Sequence, residues 1–342
     1  MTVNGHLEMV DQLYAEYQIP SHLTHKFPII MIPGGGQTGT EFTGTPDGRE
    51  GWRQYFLRQG YEVYVLDGVG RGRAYYAADV YGPTVQLDVE HYKYKIFSPE
   101  KYNLYPQAHL HTQWPFKSEP GDPVFDQVVA AAMPGIGDWP EVMTLSRDAI
   151  VALLQKIGPA ILLTHSQSGP YGWLVADSHP ELVKAIVAVE PNGPPFYDIV
   201  EIGPPNWFRD SAFKRRPWGV TSIPMNYSPP AEASGLVAVQ QEKPDNPDVA
   251  RCWLQAAPAH QLPNLKTVPI LLVTSEASFA NSYDNCTDKF LEQAGVHPTW
   301  MKLGEIGIHG NSHVMTIEMN NMEVAAALYR WLDAAPVDDR LK

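Results

Sequence analysis

The sequence is poor in what several protein classes require. It has only two cysteines, Cys252 and Cys286, in 342 residues. That is too few for a disulfide framework, although it leaves one bridge open. No apolar run reaches eighteen residues, which argues against a membrane-spanning helix. Positive charge is short, with 25 Lys and Arg against 38 Asp and Glu and a net charge of −13. Nucleic acid and anionic membrane surfaces are therefore poor partners. Met1 is followed by polar Thr2, Asn4, His6 and Glu8 rather than by a basic and then apolar leader. A cytoplasmic location is the expectation, and secretion would require a leader already removed. There are no repeats and no low-complexity tracts. His109-x-His111 has no third ligand at metal spacing, so neither a metal nor a cofactor is expected.

What is present describes a globular chain. Hydrophobic residues make up 44%, and the length suffices for a large core. Prolines (31) and glycines (27) are numerous enough to predict long ordered loops. Leu13, Ala15, Tyr17 and Ile19 alternate with polar neighbours, so 13–19 reads as a strand near a sheet edge. Short apolar runs at 27–32, 61–66, 160–163, 184–189, 268–274 and 297–302 read as strands, most of them buried. Helical periodicity appears at 48–59 and at the C-terminus around Val324, Leu328, Trp331 and Leu332. It also appears at 145–157, with Ser146 as the expected N-cap. Strands alternating with helices predict an α/β, doubly wound, mostly parallel sheet whose ligands bind at the strands' carboxyl ends.

The stretch at that edge with most chemical content is Thr164-His165-Ser166-Gln167-Ser168-Gly169. A buried strand precedes it and a helix-like segment follows. A strained strand–turn–helix lifts a serine hydroxyl clear of the sheet and aims the next N–H, that of Gln167, at a developing oxyanion. Small residues are required two before and two after the serine. Here they are Thr164 and Ser168 rather than glycine. The run Pro33-Gly34-Gly35-Gly36-Gln37 follows another buried strand. It lacks the Gly-Lys-Ser/Thr ending of a phosphate loop and fits no dinucleotide fingerprint. An N–H of loop 34–37, that of Gly35 or Gly36, is the expected second oxyanion donor. A serine needs a base to become nucleophilic, and a carboxylate must hold that base in the right tautomer. His313 is favoured by position, between the last strand and the terminal helix. His309 lies in the same loop, and His165 sits on the turn and is expected to point away. Two carboxylates follow strands at the same edge, Glu190 and Glu276.

Taken together, the chain resembles the α/β-hydrolase superfamily, which uses the order Ser, acid, His. More narrowly it resembles a branch of secreted bacterial serine esterases with paired cysteines in the oxyanion loop and a catalytic Glu after the sixth strand. The matching stretches are Tyr14 to Pro20, Thr45-Pro46-Asp47-Gly48-Arg49, Tyr55-Phe56-Leu57-Arg58, Gly70-Arg71-Gly72-Arg73, His165 to Gly169, Glu190-Pro191, and Gly310-Asn311-Ser312-His313 with Asn320-Asn321. Gly35 and Gly36 stand where the branch has its cysteines, and Pro33 stands where the superfamily often has His. The resemblance implies Ser166 as nucleophile, His313 as base and Glu190 as orienting acid, with Glu276 as the alternative.

The expected activity is hydrolysis of a carboxylic ester or lactone through an acyl-enzyme. Acyl transfer on the same fold, or a receptor-like binder with little turnover, are the rival readings. One domain spanning 1–342 is expected, with cap segments at about 74–140 and 194–262, both rich in proline and aromatics. These should fold over Ser166 and favour a small hydrophobic ester or lactone. A homodimer remains open.

Overall fold

The six apolar runs and the alternating stretch pair into one seven-stranded sheet. Its strands are β1 (Tyr14–Gln18), β2 (Ile29–Ile32), β3 (Val63–Asp67), β4 (Ala160–His165), β5 (Val183–Val189), β6 (Ile270–Thr274) and β7 (Thr299–Lys302). The spatial order is 7-6-5-4-2-3-1. Every pairing is parallel except that of β1 with β3, so β1 is the antiparallel edge strand that its alternating pattern predicts. The computed structural model describes residues 2–3, 5–85, 89–114, 116–335, 337, 340 and 341.

The period of two splits each strand between the sheet's two faces. Ile30, Ile32, Leu162, Ile186 and Ile270 join one apolar cluster. Ile29, Met31, Ile161, Leu163, Val187 and Leu271 join the other. Helices α2 (Trp139–Ile157), α3 (Gly169–Ser178) and α4 (Asp284–Gln293) contribute Leu154, Leu174 and Phe290 to the first face. Helices α1 (Trp52–Arg58) and α5 (Asn321–Ala334) contribute Trp52, Phe56, Val324 and Leu328 to the second. Both faces are covered, which is why the central strands read as nearly continuous apolar runs.

Helix α2 begins earlier than its apolar periodicity suggests. Its N-cap is Asp138, whose side chain accepts from the N–H of Glu141 at 2.8 Å. Ser146 is a buried residue inside the helix. Pro140 sits in the first turn, where a missing N–H costs nothing.

The strand order reverses between β4 and β2, which are neighbours. In a doubly wound sheet the crevice opens at such a reversal, beyond the carboxyl ends. It places the loop after β2 beside the turn after β4. The long segments 74–140 and 194–262 are not patternless. The first holds short helices and the helix Pro123–Ala131, capped by Asp122. The second holds an antiparallel hairpin, Phe196–Gly203 with Trp207–Arg216. Cys252 and Cys286 form a disulfide with a Cα–Cα distance of 5.0 Å, which ties the second segment to α4.

Candidate active site

The chain leaves β4 at His165 and turns at Ser166 with φ +51°. Residues with a Cβ rarely adopt this left-handed region, and such strain collects at functional sites. Ser168, in the second glycine place, uses its hydroxyl. It donates to Ile32 O at 2.8 Å and accepts from His165 N at 2.9 Å. The turn is thereby fastened to the end of β2.

The glycine loop packs directly on this turn. A Cβ on Gly34 would lie 3.0 Å from His165 Nδ1 and 3.2 Å from Ser166 Cβ, and one on Gly35 would lie 3.1 Å from Gln167 Oε1. Gly34 donates its N–H to Glu41 Oε2 at 2.8 Å. The N–H groups of Gly35 and Gly36 meet no acceptor among the described residues.

The loop after β7 brings in His313. Its Nδ1 lies 2.5 Å from Glu190 Oε2. Glu190 follows β5 at φ +41° and is fully buried. The carboxylate also accepts from Ser275 N at 2.8 Å, from the Ser275 hydroxyl, and from Ser278 Oγ at 2.7 Å. These donors offset the desolvation of a charge that would otherwise be expelled or neutralised. Burial pushes the His313 pKa below its ordinary 6.5, with Glu190 opposing. At neutral pH the ring is therefore neutral. With its Nδ1 proton facing Glu190, the lone pair on Nε2 is left free, as a general base requires.

Glu276, the alternative acid, is engaged elsewhere. It holds His309 Nδ1 at 3.0 Å and Gly310 N at 2.9 Å. His165 does not point out of the fold. Its buried ring lies 4.7 Å from that of His313, centroid to centroid. Its Nε2 donates to His313 O at 2.9 Å, and its Nδ1 is ion-paired with Glu41 at 2.6 Å. Burial alone would depress the His165 pKa, but the Glu41 carboxylate outweighs it and the net shift is upward. Glu41 and His165 thus join the glycine loop to the backbone of His313. Asp67 is structural: it binds the Arg73 guanidinium and accepts from Gly39 N.

A second buried network fixes the His313 loop from below. Glu318 accepts from Ser312 N at 3.0 Å, Asn311 Nδ2 at 2.8 Å and His111 Nε2 at 3.0 Å, while His111 Nδ1 reaches Glu100 at 2.9 Å. Burial opposes a charge on His111, but the two carboxylates raise its pKa from 6.5 to about 9. A folded-state value above the unfolded one means that this contribution is complete below pH 6.5. It is lost as pH rises through about 9. His111→Gln should therefore cost about 3 kcal/mol near neutrality. The gap to wild type should close by about pH 10, as read by urea unfolding across that range. A gap that stays constant with pH would assign the effect to packing instead.

Ser166, Gln167, Gly35, Gly36 and His313 border one cavity of ≈ 460 Å³. Both long segments supply wall, with Ile96 and Trp139 from the first and Ile199 and Val200 from the second. The wall is largely apolar, but it also carries Arg71, Lys95, Asp198, Glu201 and Arg215. Most other aromatics of the first segment pack on each other, as Tyr92, Phe97, Trp114 and Phe125 do, although Tyr92 also reaches the cavity.

Across 328 residues the chain is 42% identical to a probable secreted lipase, phiG, of a fungal species (strain ATCC 74256), covering 94% of this chain and 85% of the lipase. This chain belongs to the α/β-hydrolase family. Its fold is similar to that of a novel bacterial esterase solved at atomic resolution, with a TM-score of 0.61, 24% identity, and coverage of 95% of this chain and 86% of that one. No family model matches. No helix among the described residues of this hydrolase is long and apolar enough to cross a membrane. Sequence reasoning missed Ser275 and Ser278 on Glu190, and Glu41 behind the glycine loop. A lone hydroxyl or carboxylate in a loop carries no periodic signal, so only proximity reveals these partners.

Proposed function

We propose that this hydrolase cleaves a small carboxylic ester, or the equivalent bond of a lactone, through an acyl-enzyme on Ser166. The observation that carries the reading is the 2.5 Å contact between His313 Nδ1 and buried Glu190, with His313 bordering the same cavity as Ser166. His313 Nε2 takes the proton as Ser166 Oγ attacks the carbonyl carbon. The oxyanion is held by the N–H of Gln167 and that of Gly35 or Gly36. Collapse breaks the ester C–O bond, and the leaving alcohol takes the proton from His313. Water then adds to the acyl-enzyme by the same route in reverse, releasing the acid and free Ser166. The segments 74–140 and 194–262 act as a cap that shields this chemistry from bulk water.

For the compartment we infer an oxidising one, and with it secretion. The buried Cys252–Cys286 bridge persists in such surroundings, and the fungal relative is named a secreted lipase.

A fluorophosphonate probe tests the reading directly. It should label Ser166 alone, identified by peptide mass, and abolish ester turnover in proportion. A structure of the adduct should place its phosphoryl oxygen within hydrogen-bonding range of Gln167 N and of a loop N–H. Labelling elsewhere, or an adduct oxygen facing neither donor, would remove the assignment.

A further inference from the structure

The cavity carries charge that cleavage of a neutral ester does not call for. Three cations, Lys95, Arg215 and Arg71, reach its wall. Lys95 is ion-paired with Glu201, and Arg215 with Asp198 at 2.8 Å. Arg71 has no carboxylate partner among the described residues. Among the described residues the guanidinium makes two hydrogen bonds, both from Nη1, to Gly34 O at 3.2 Å and to Gln167 Oε1 at 3.1 Å. Nε is buried without an acceptor, and Nη2 donates to no described atom.

The fold makes room for this group and holds it there. Where the backbone passes the guanidinium, a Cβ on Gly135 would lie 2.5 Å from Nη2 and 3.0 Å from Nε. A side chain at 135 would have to push the guanidinium aside. Burial depresses the Arg71 pKa, and the groups opposing it are two tyrosines, Tyr171 and Tyr92, rather than any acid. A desolvated cation without a counter-charge is unfavourable, yet this chain has acidic residues in excess of its basic ones. The arrangement makes sense if a ligand supplies the missing charge.

We propose that Arg71 is a carboxylate-recognising residue and that the substrate is a half-ester, an ester or lactone that bears a second, free carboxylate. The inference rests on Ser166 as the nucleophile of an ester hydrolase and deepens it. Arg71 holds Gly34 and Gln167, which flank the expected oxyanion site, so the carboxylate it receives lies close to the scissile carbonyl. Esters of short dicarboxylic acids have that separation. Arginine's planar fork suits a carboxylate, and the charge-assisted bonds formed there are stronger than neutral ones. A neutral ester leaves the guanidinium unpaired and is discriminated against for that reason.

The test compares monomethyl glutarate with methyl pentanoate, followed by titration of released acid. Wild type should favour the half-ester in kcat/KM. Arg71→Met should lower the ratio of the two kcat/KM values by roughly 10- to 100-fold. Arg71→Lys should give an intermediate ratio, since it keeps the charge but loses the fork. The ratio cancels any effect that Arg71 exerts on both substrates through the oxyanion loop. A ratio within twofold of wild type in both variants would overturn the proposal and leave Arg71 as a brace for that loop. Calorimetry with monomethyl glutarate supplies a readout without turnover. Ser166→Ala should bind it, and adding Arg71→Met should weaken binding at least about tenfold. If neither ester is turned over, the esterase reading fails, while the binding comparison still decides Arg71. Equal affinity in the two backgrounds would overturn the proposal.

Discussion

Ser166→Ala should lower ester turnover by roughly 10⁵- to 10⁶-fold while leaving the thermal midpoint within a few degrees of wild type. The hydroxyl is the only group lost. Asn192 N still donates to the backbone carbonyl of residue 166, a bond of 2.7 Å. Alanine meets the left-handed turn with the same Cβ that serine carries, so the strain at φ +51° is unchanged. What remains should be the small rate that binding and the oxyanion donors supply without a nucleophile. The measurement is kcat with short p-nitrophenyl esters beside a melting curve. Turnover within about tenfold of wild type would move the nucleophile elsewhere.

Glu190→Gln should lower kcat by about 10³- to 10⁴-fold, whereas Glu276→Gln should change it by less than about threefold. The reason is tautomeric. Ser275 N and both serine hydroxyls donate to the Glu190 carboxylate. A glutamine keeps its oxygen for Ser275 N and Ser275 Oγ, which share Oε1, and turns its NH₂ towards Ser278 Oγ and His313 Nδ1, which share Oε2. That nitrogen must then become the acceptor, and the ring proton moves to Nε2, where the lone pair for Ser166 is needed. Among the described residues the Glu276 carboxylate bonds only to His309 Nδ1 and Gly310 N, at the rim of the His313 loop. Steady-state kinetics of both variants, with unfolding curves as the control, separate the two carboxylates. The opposite pattern would transfer the orienting role to the end of β6.

Much of the architecture was legible before any coordinates. Each of the seven central strands coincides with an apolar or alternating run, because a strand buried on both faces must be apolar throughout. Helix α2 is longer than the 145–157 that its apolar periodicity predicts, because its first turn, Trp139-Pro140-Glu141, has no apolar period and its Asp138 cap falls within the long segment 74–140. The helix Pro123–Ala131 was missed altogether, although Asp122 followed by Pro123 is a recognisable start signal. The hairpin of the second long segment escaped because irregular register breaks its alternation.

By itself the sequence determined the fold class and the strand–turn–helix around Ser166, because these depend on local periodicity and on short-range sterics. It offered two acids, Glu190 and Glu276, each at the end of a strand, and could not choose between them on spacing. Only the tertiary structure shows which of them meets His313: Glu190 lies against its Nδ1, more than a hundred residues away along the chain, whereas Glu276 lies against His309. The same holds for Ser275, Ser278 and Glu41, and for Arg71. Whether a guanidinium is paired or bare is set by neighbours from distant segments, and charge balance in a cavity has no signature in the order of residues.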